Sequence, residues 1–210
     1  EKLDPNESVT FQFSVQLNKP AVTDNSENLQ VTVKSKVKSN ENAAFIDGNQ
    51  VALKISSPSA IERSVAVKSG VVPPKVGVTT AMQVTVSLRN ASNDYREGVL
   101  VGYIPLGVTL DKASIPGGEA AAVKFDSATG KLTWNVGQLS AHSGSTSPLR
   151  TLKFTVNVTP SGTQVGQPIV LFKTISFVAK DTFTGQNISL TAQELSTDNL
   201  PGDGAGRVVQ

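Results

Sequence analysis

The chain contains no cysteine. Disulfides, thiolate nucleophiles and Cys-ligated zinc are therefore excluded. It contains one histidine, His142, which leaves little for His-based metal or acid–base chemistry. No apolar run approaches the roughly 18 residues of a membrane helix, and the opening EKLDPNESVT lacks the apolar core of a signal peptide. Aromatic residues make up 5%, with a single tryptophan. Neither sign of charge dominates. Lys and Arg total 19 against 17 Asp and Glu, and the net charge of +2 is too small to point to nucleic acid, which calls for a dense basic face. A chain without thiols is compatible with export from a bacterial cell, and an export signal would then be removed or lie upstream of Glu1.

What is present is the composition of a globular protein, 38% hydrophobic and 17% charged over 210 residues, the length of one large or two small domains. Period-two alternation dominates it. VTFQFSVQL (9–17), LQVTVKSKV (29–37), VALKI (51–55), MQVTVSL (82–88), KLTWNV (131–136) and TLKFTVNV (151–158) each place apolar and polar residues in turn. Alternation puts one set of side chains on a core face and the other in water. Val, Ile, Thr and Phe suit such a pleated, half-buried surface. Turn-forming clusters separate the runs: DPNE, TDNSEN, IDGNQ, NASND, PGGE, DSATG and PSGTQVGQP. No stretch carries helical periodicity with caps. Short strands with regularly spaced turns predict an all-β sandwich with antiparallel sheets and little or no helix.

The chain also repeats itself. TFQFSVQLNKP…FIDGNQVALKISS begins at Thr10, and TLKFTVNVTPS…FTGQNISLTAQELS begins at Thr151. Each copy has an alternating strand, an Asn/Thr-Pro turn, a β-rich segment, then Phe, a Gly turn and another strand. A repeat array follows. Residues 59–197 make one complete copy, and residues 1–58 match only the second half of one. A half of roughly four strands has little chance of covering both sheet faces alone, so it is expected to be incomplete in this chain or completed by another. Residues 198–210 are Gly/Pro-rich up to Arg207 and then apolar at Val208 and Val209. They are expected to form a linker or a tail that docks on a neighbouring module or subunit, as an added strand.

Within GKLTWNVGQL (130–139), Leu132, Trp134 and Val136 share one face, and Lys131, Thr133 and Asn135 the other. Gly130 suits a positive φ in the turn that feeds the strand, and Gly137 marks a bulge or a close backbone approach. Trp134, Leu132, Val136 and Phe154 are the expected core.

The order of these elements is itself informative. VVPPKVGVTTAMQVTVSLRNASND, VLVGYIPLGVTL, DSATGKLTWNVGQL, RTLKFTVNVTPSGTQVGQ and KDTFTGQNISLT follow one another. This resembles the immunoglobulin-like "conserved repeat" modules of large bacterial cell-surface proteins. Their pattern falls here on Pro73 to Gly77, Asn90, Ile104 to Val108, Trp134 to Leu139 and Leu152 to Val156, with Ile104 standing where Leu is usual. The resemblance covers most of residues 70–195 and, weakly, 3–56. It implies Ig-like β-sandwich modules, an extracellular location on the cell surface, and a place in a surface layer, stalk, filament or adhesin. It supplies no catalytic residues.

Other constellations have plain readings. Lys34, Lys36 and Lys38 share one face of a predicted strand, which fits an anion-contact stripe for cell-wall or surface glycan, or a solvated edge kept from pairing by lysines. Asp94, Glu97, Asp111, Glu119 and Asp126, with 181–187 and STDNLPGDG, offer oxygens for a structural calcium, but the spacing of a calcium loop is missing and turn chemistry explains them. Asn6, Asn90, Asn157 and Asn187 open Asn-x-Ser/Thr triplets, a motif that arises by chance in such a composition. His142, in SAHSGSTS, has no nucleophile elbow and reads as a solvated loop residue. No cofactor is expected, and the chain is read as a non-enzyme: a structural or assembly segment whose partners are copies of itself or adjacent modules of one long protein. An adhesin module for glycan or a host-cell protein, and a non-catalytic spacer in a secreted enzyme, are the alternatives.

Overall fold

The computed structural model describes residues 6–10, 12–14, 16, 26–39, 44–202 and 204–210. Its strands, in chain order, are β1 (Gln30–Val37), β2 (Ile46–Lys54), β3 (Ser59–Ser69), β4 (Thr80–Asn90), β5 (Tyr95–Tyr103) and β6 (Val108–Asp111), then β7 (Val123–Asp126), β8 (Lys131–Leu139), β9 (Arg150–Val158), β10 (Val170–Asp181), β11 (Asn187–Ala192) and β12 (Leu195–Ser196). Helix is confined to single turns such as Gly117–Ala120. The protein is all-β, and every pair of these strands is antiparallel.

Two sheets make a sandwich. One runs β3-β4-β9-β6. The other runs β11-β10-β5-β8-β7, with β12 also on β10. Their facing sides meet in one core. Val84, Val86, Leu152 and Phe154 come from the first sheet, and Leu100, Leu132, Trp134 and Phe177 from the second, each at most 1% exposed. Phe154 meets Phe172 edge-on, with ring centroids 5.4 Å apart, the arrangement the ring quadrupole favours. Gly102 on β5 leaves the space that the Phe172 ring fills.

The two glycines flanking Trp134 have separate tasks. Gly130 adopts φ 72°, closes the β7–β8 turn and accepts from Ile104 N through its carbonyl. Gly137 adopts φ 70°, where β8 bulges: Gly98 pairs with Gly137 while Val99 pairs with Asn135. The bulge changes the phase of alternation. Leu132, Trp134 and Val136 point inward, and after Gly137 the next inward residue is Leu139.

β1 and β2 form a separate two-stranded sheet. All nine residues of β2 are exposed, whereas Val31 and Val33 of β1 are half-buried. Of the strand expected over 9–17, residues 9, 10, 12–14 and 16 are described and none lies in a strand, while 11, 15 and 17 lie outside the described residues. Phe13 is 70% exposed. Its counterpart in the second copy, Phe154, has β4 and β6 on either side of its strand, and no such neighbours flank Phe13 among the described residues.

The tail does not run free of the sandwich. Val209 bridges Lys75, Val208 bridges Val165, and Arg207 bridges Pro168. Val208 is 2% exposed. Residues 207–209 thus sit between the β3–β4 and β9–β10 loops of their own sandwich. Two local loops supply the backbone partners such a short apolar segment needs.

Candidate functional site

Residues 55–58 join the β1–β2 hairpin to the sandwich, and the sandwich grips them with buried side chains. Asn90 ends β4, Tyr95 opens β5, and the turn 91–94 links them. Ser57 Oγ donates to Asn90 Oδ1 at 2.7 Å and accepts from Ser92 N at 2.6 Å. Ala91 N donates to Pro58 O at 2.9 Å, continuing the β3–β4 ladder beyond Ser59. Asn93 Nδ2 donates to Ile55 O at 2.9 Å and to Asp181 Oδ2 at 2.8 Å. The other oxygen of Asp181 accepts from Phe183 N and Thr184 N. Tyr95 OH donates to Ser57 O at 2.9 Å and lies 3.2 Å from Ser59 Oγ.

Asn90, Ser92, Asn93, Tyr95 and Asp181 are all at most 1% exposed. Buried polar groups without partners cost about 1–3 kcal/mol each, so the partnering is what makes this polar end of the core tolerable. Burial pushes the Tyr95 hydroxyl above its usual range. Its hydrogen bonds to Ser59 and Ser57 oppose the shift, and the Asp181 carboxylate adds to it.

Two outer contacts flank the grip. Lys54 Nζ donates to Phe183 O at 2.7 Å and lies 4.7 Å from the centre of the Phe183 ring. His142 Nε2 lies 3.2 Å from Glu27 Oε1. His142 is 8% exposed with φ 58°, and its Nδ1 is buried without a hydrogen-bond partner. The solvated loop histidine expected from SAHSGSTS is instead a packed residue. Its carbonyl accepts from Ser145 N and Ser147 N, which closes a tight turn. Beside the joint, a depression of about 190 Å³ opens between Pro58, Ala60, Arg89 and Ser145, below the roughly 300 Å³ at which ligand pockets begin. What the geometry does is hold the linker.

A second buried constellation surrounds Trp134. Its Nε1 donates to Glu119 Oε2 at 2.8 Å, Arg150 pairs with Oε1 of the same carboxylate, and the Arg150 guanidinium lies 5.5 Å from the indole centre. The turn Gly117–Ala120 brings Glu119 to the indole. Glu119 is therefore a buried acceptor for Trp134 and Arg150. Leu132, Val136 and Phe154 are buried around it.

The remaining acidic side chains stand apart, each with its own partner. Asp94 Oδ1 accepts from Ala141 N, Asp111 Oδ1 from Ala113 N, and Glu97 faces Arg96 at 3.6 Å. Asp126 accepts from Thr129 Oγ1 at 2.6 Å and Ala128 N at 3.0 Å. The threonine hydroxyl, then the Ala128 amide, holds this exposed carboxyl below its usual range. Among the described residues no three His, Cys, Asp or Glu side chains gather as metal ligands would. Lys34 pairs with Asp47 at 2.6 Å, Lys36 lies 3.9 Å from the same carboxylate, and Lys38 lies 5.7 Å from the Phe45 ring centre. One acidic residue on β2 thus faces two of the three lysines and offsets one of their charges. Asn90, read from sequence as part of a triplet, is a buried amide.

Sequence reasoning missed Ser57, Asn93 and the partnership of Glu119 with Trp134, and it read Asp181 as a calcium candidate rather than as a partner of Asn93. NASNDY has the composition of an exposed turn, and nothing in it marks the turn as buried.

No family model matches this chain, and no curated protein matches it. Among solved structures it is similar to the GH20 exo-β-N-acetylglucosaminidase of Vibrio harveyi, with 12% identity and TM-score 0.37 over 63% of this chain and 17% of that one. It is similar to the major pilin subunit of Bacillus cereus, with 7% identity and TM-score 0.39 over 78% and 47%. It is similar to a DUF4466 family protein of Parabacteroides merdae, with 11% identity and TM-score 0.23 over 65% and 44%. The chain spans less than half the length of each. At these scores the likenesses carry no functional argument.

Proposed function

We propose that this chain is a structural segment of an extracellular bacterial surface protein, built from Ig-like modules that space, rigidify or polymerise. One observation supports it above the others: the linker 55–58 is bound into the end of the sandwich by Ser57, Asn90, Asn93 and Tyr95. A free linker would let successive units swivel. One held at the buried Ser57 fixes the direction in which the chain leaves. In this reading residues 1–58 are the second half of one module, to be completed by strands of the 59–149 type, and 59–197 form the complete one. The partners are copies of this chain or adjacent modules of the same long protein, with surface glycan as a further contact. Chemistry is left to other proteins.

The test is immunogold electron microscopy of the cells that make the protein. Antibody against the chain is expected to decorate the exterior of intact cells at regular spacing along a layer or fibre. Labelling confined to broken cells overturns the proposal.

A further inference from the structure

We propose that the buried grip on residues 55–58 is a force clamp, which makes this sandwich a load-bearing element along the chain. The inference rests on the structural reading above and adds where tension enters and what resists it. β3 begins two residues after Ser57 and pairs with β4 from Ser59↔Asn90 to Ser69↔Ala81, the length of the sandwich. β4 pairs in turn with β9 from Thr80↔Val158 to Leu88↔Arg150. The far ends of these strands carry the 70–79 and 159–169 loops, where residues 207–209 are held. The chain therefore enters at one end of the sandwich and is last held at the other. Tension between the two runs along β3.

Antiparallel ladder hydrogen bonds lie perpendicular to the strands. Load directed along the strand is shared by all rungs at once, whereas load directed across it opens them singly. The clamp extends this shared resistance upstream. Ala91 N holds Pro58 O, Tyr95 OH holds Ser57 O, and Asn93 Nδ2 holds Ile55 O. It also spreads the load over both sheets: Asn90 belongs to β4 of one, while Tyr95 and Asp181 belong to β5 and β10 of the other. The bonds at Ser57 are buried, so when strained they meet no competing solvent partner, while Ile55 is half-buried and Pro58 exposed.

Single-molecule force spectroscopy on the full chain tests this. The lack of native cysteine allows attachment through Gln30→Cys and Gln210→Cys alone, which loads the β1–β2 hairpin from its open end at Gln30↔Lys54. The hairpin is expected to open first at low force, followed by one high-force event for the sandwich. Ser57→Ala and Tyr95→Phe, separately and together, are expected to raise the unfolding rate under load by about tenfold or more. Trp134→Phe, a destabilised core variant outside the clamp, is expected to keep the high-force event at matched loss of melting temperature. Attachment through Ala60→Cys and Gln210→Cys, which bypasses the clamp without touching it, is expected to lower the unfolding force. An event unchanged in the clamp variants and in the bypass geometry overturns the clamp and leaves the structural reading standing. A sandwich that opens at the hairpin's force in every geometry overturns both.

Discussion

The Tyr95 hydroxyl donates to the Ser57 carbonyl at 2.9 Å, beneath a surface that leaves the tyrosine 1% exposed. One residue opens a strand of the sandwich and the other lies in the linker before it. The bond therefore couples the integrity of the core to the course of the chain outside it.

Tyr95→Phe is expected to lower stability by about 1–2 kcal/mol, since it removes the donor and leaves a buried carbonyl short of a partner. The pH dependence has a definite sign. The folded state holds the Tyr95 proton more tightly than the unfolded state, where the group titrates near 10.0. Its contribution is intact below that value and is lost as pH rises through the higher folded value. Urea midpoints recorded from pH 8 to 11 are expected to fall more steeply for the native chain than for Tyr95→Phe.

Trp134→Ala opens a cavity among Leu132, Val136 and Phe154, and is expected to cost about 3–5 kcal/mol. Trp134→Phe keeps most of the ring but strands the Glu119 carboxylate's bond, for about 1.5–3 kcal/mol. Tryptophan emission is expected to be blue-shifted and shielded from iodide until the chain unfolds. An emission maximum characteristic of full hydration in the folded protein contradicts the structure.

The Asp126 turn offers a titration with a sharp control. Because the Thr129 hydroxyl and the Ala128 amide bind the ionised form, the Asp126 carboxyl is expected to protonate at lower pH than an ordinary aspartate in a carbon-detected NMR titration. Whatever stability it adds is present above the unfolded-state value and fades as pH falls through the folded one. In Thr129→Val the midpoint is expected to rise. A midpoint indifferent to that change removes the hydroxyl as cause.

Val208→Asp places a charge at a position 2% exposed, and forfeits about 1.5–3 kcal/mol of apolar burial before the charge is counted. Truncation before Gly204 is expected to lower the melting temperature of the sandwich itself. An unchanged melting curve for the truncated chain shows that the tail contributes nothing to the fold.

The sandwich was legible because alternation is a local property. KLTWNV states which side chains share a face whatever lies opposite, and Gly130 and Gly137 state where the backbone must leave the strand's φ range. The joint was not legible. NASND reads as turn chemistry, and only the arrival of the linker 55–58 turns it into a polar interior. Glu119 lies fifteen residues from Trp134 in a stretch that reads as a loop, so their hydrogen bond had no sequence signature.

The sequence by itself determined the all-β class, the inward face of the alternating strands of the sandwich, and the return of the TFQFSVQL rhythm in TLKFTVNV. Only the tertiary structure decided what each copy becomes. TFQFSVQL and TLKFTVNV have the same apolar rhythm, yet Phe13 is 70% exposed and Phe154 is 1% exposed. The physical reason is that a strand's hydrogen bonds and its buried face are both supplied by neighbours. Phe154 has β4, β6 and the facing Phe172, and Phe13 has no strand beside it among the described residues. Pattern sets which side of a strand seeks cover, and topology sets whether cover is there.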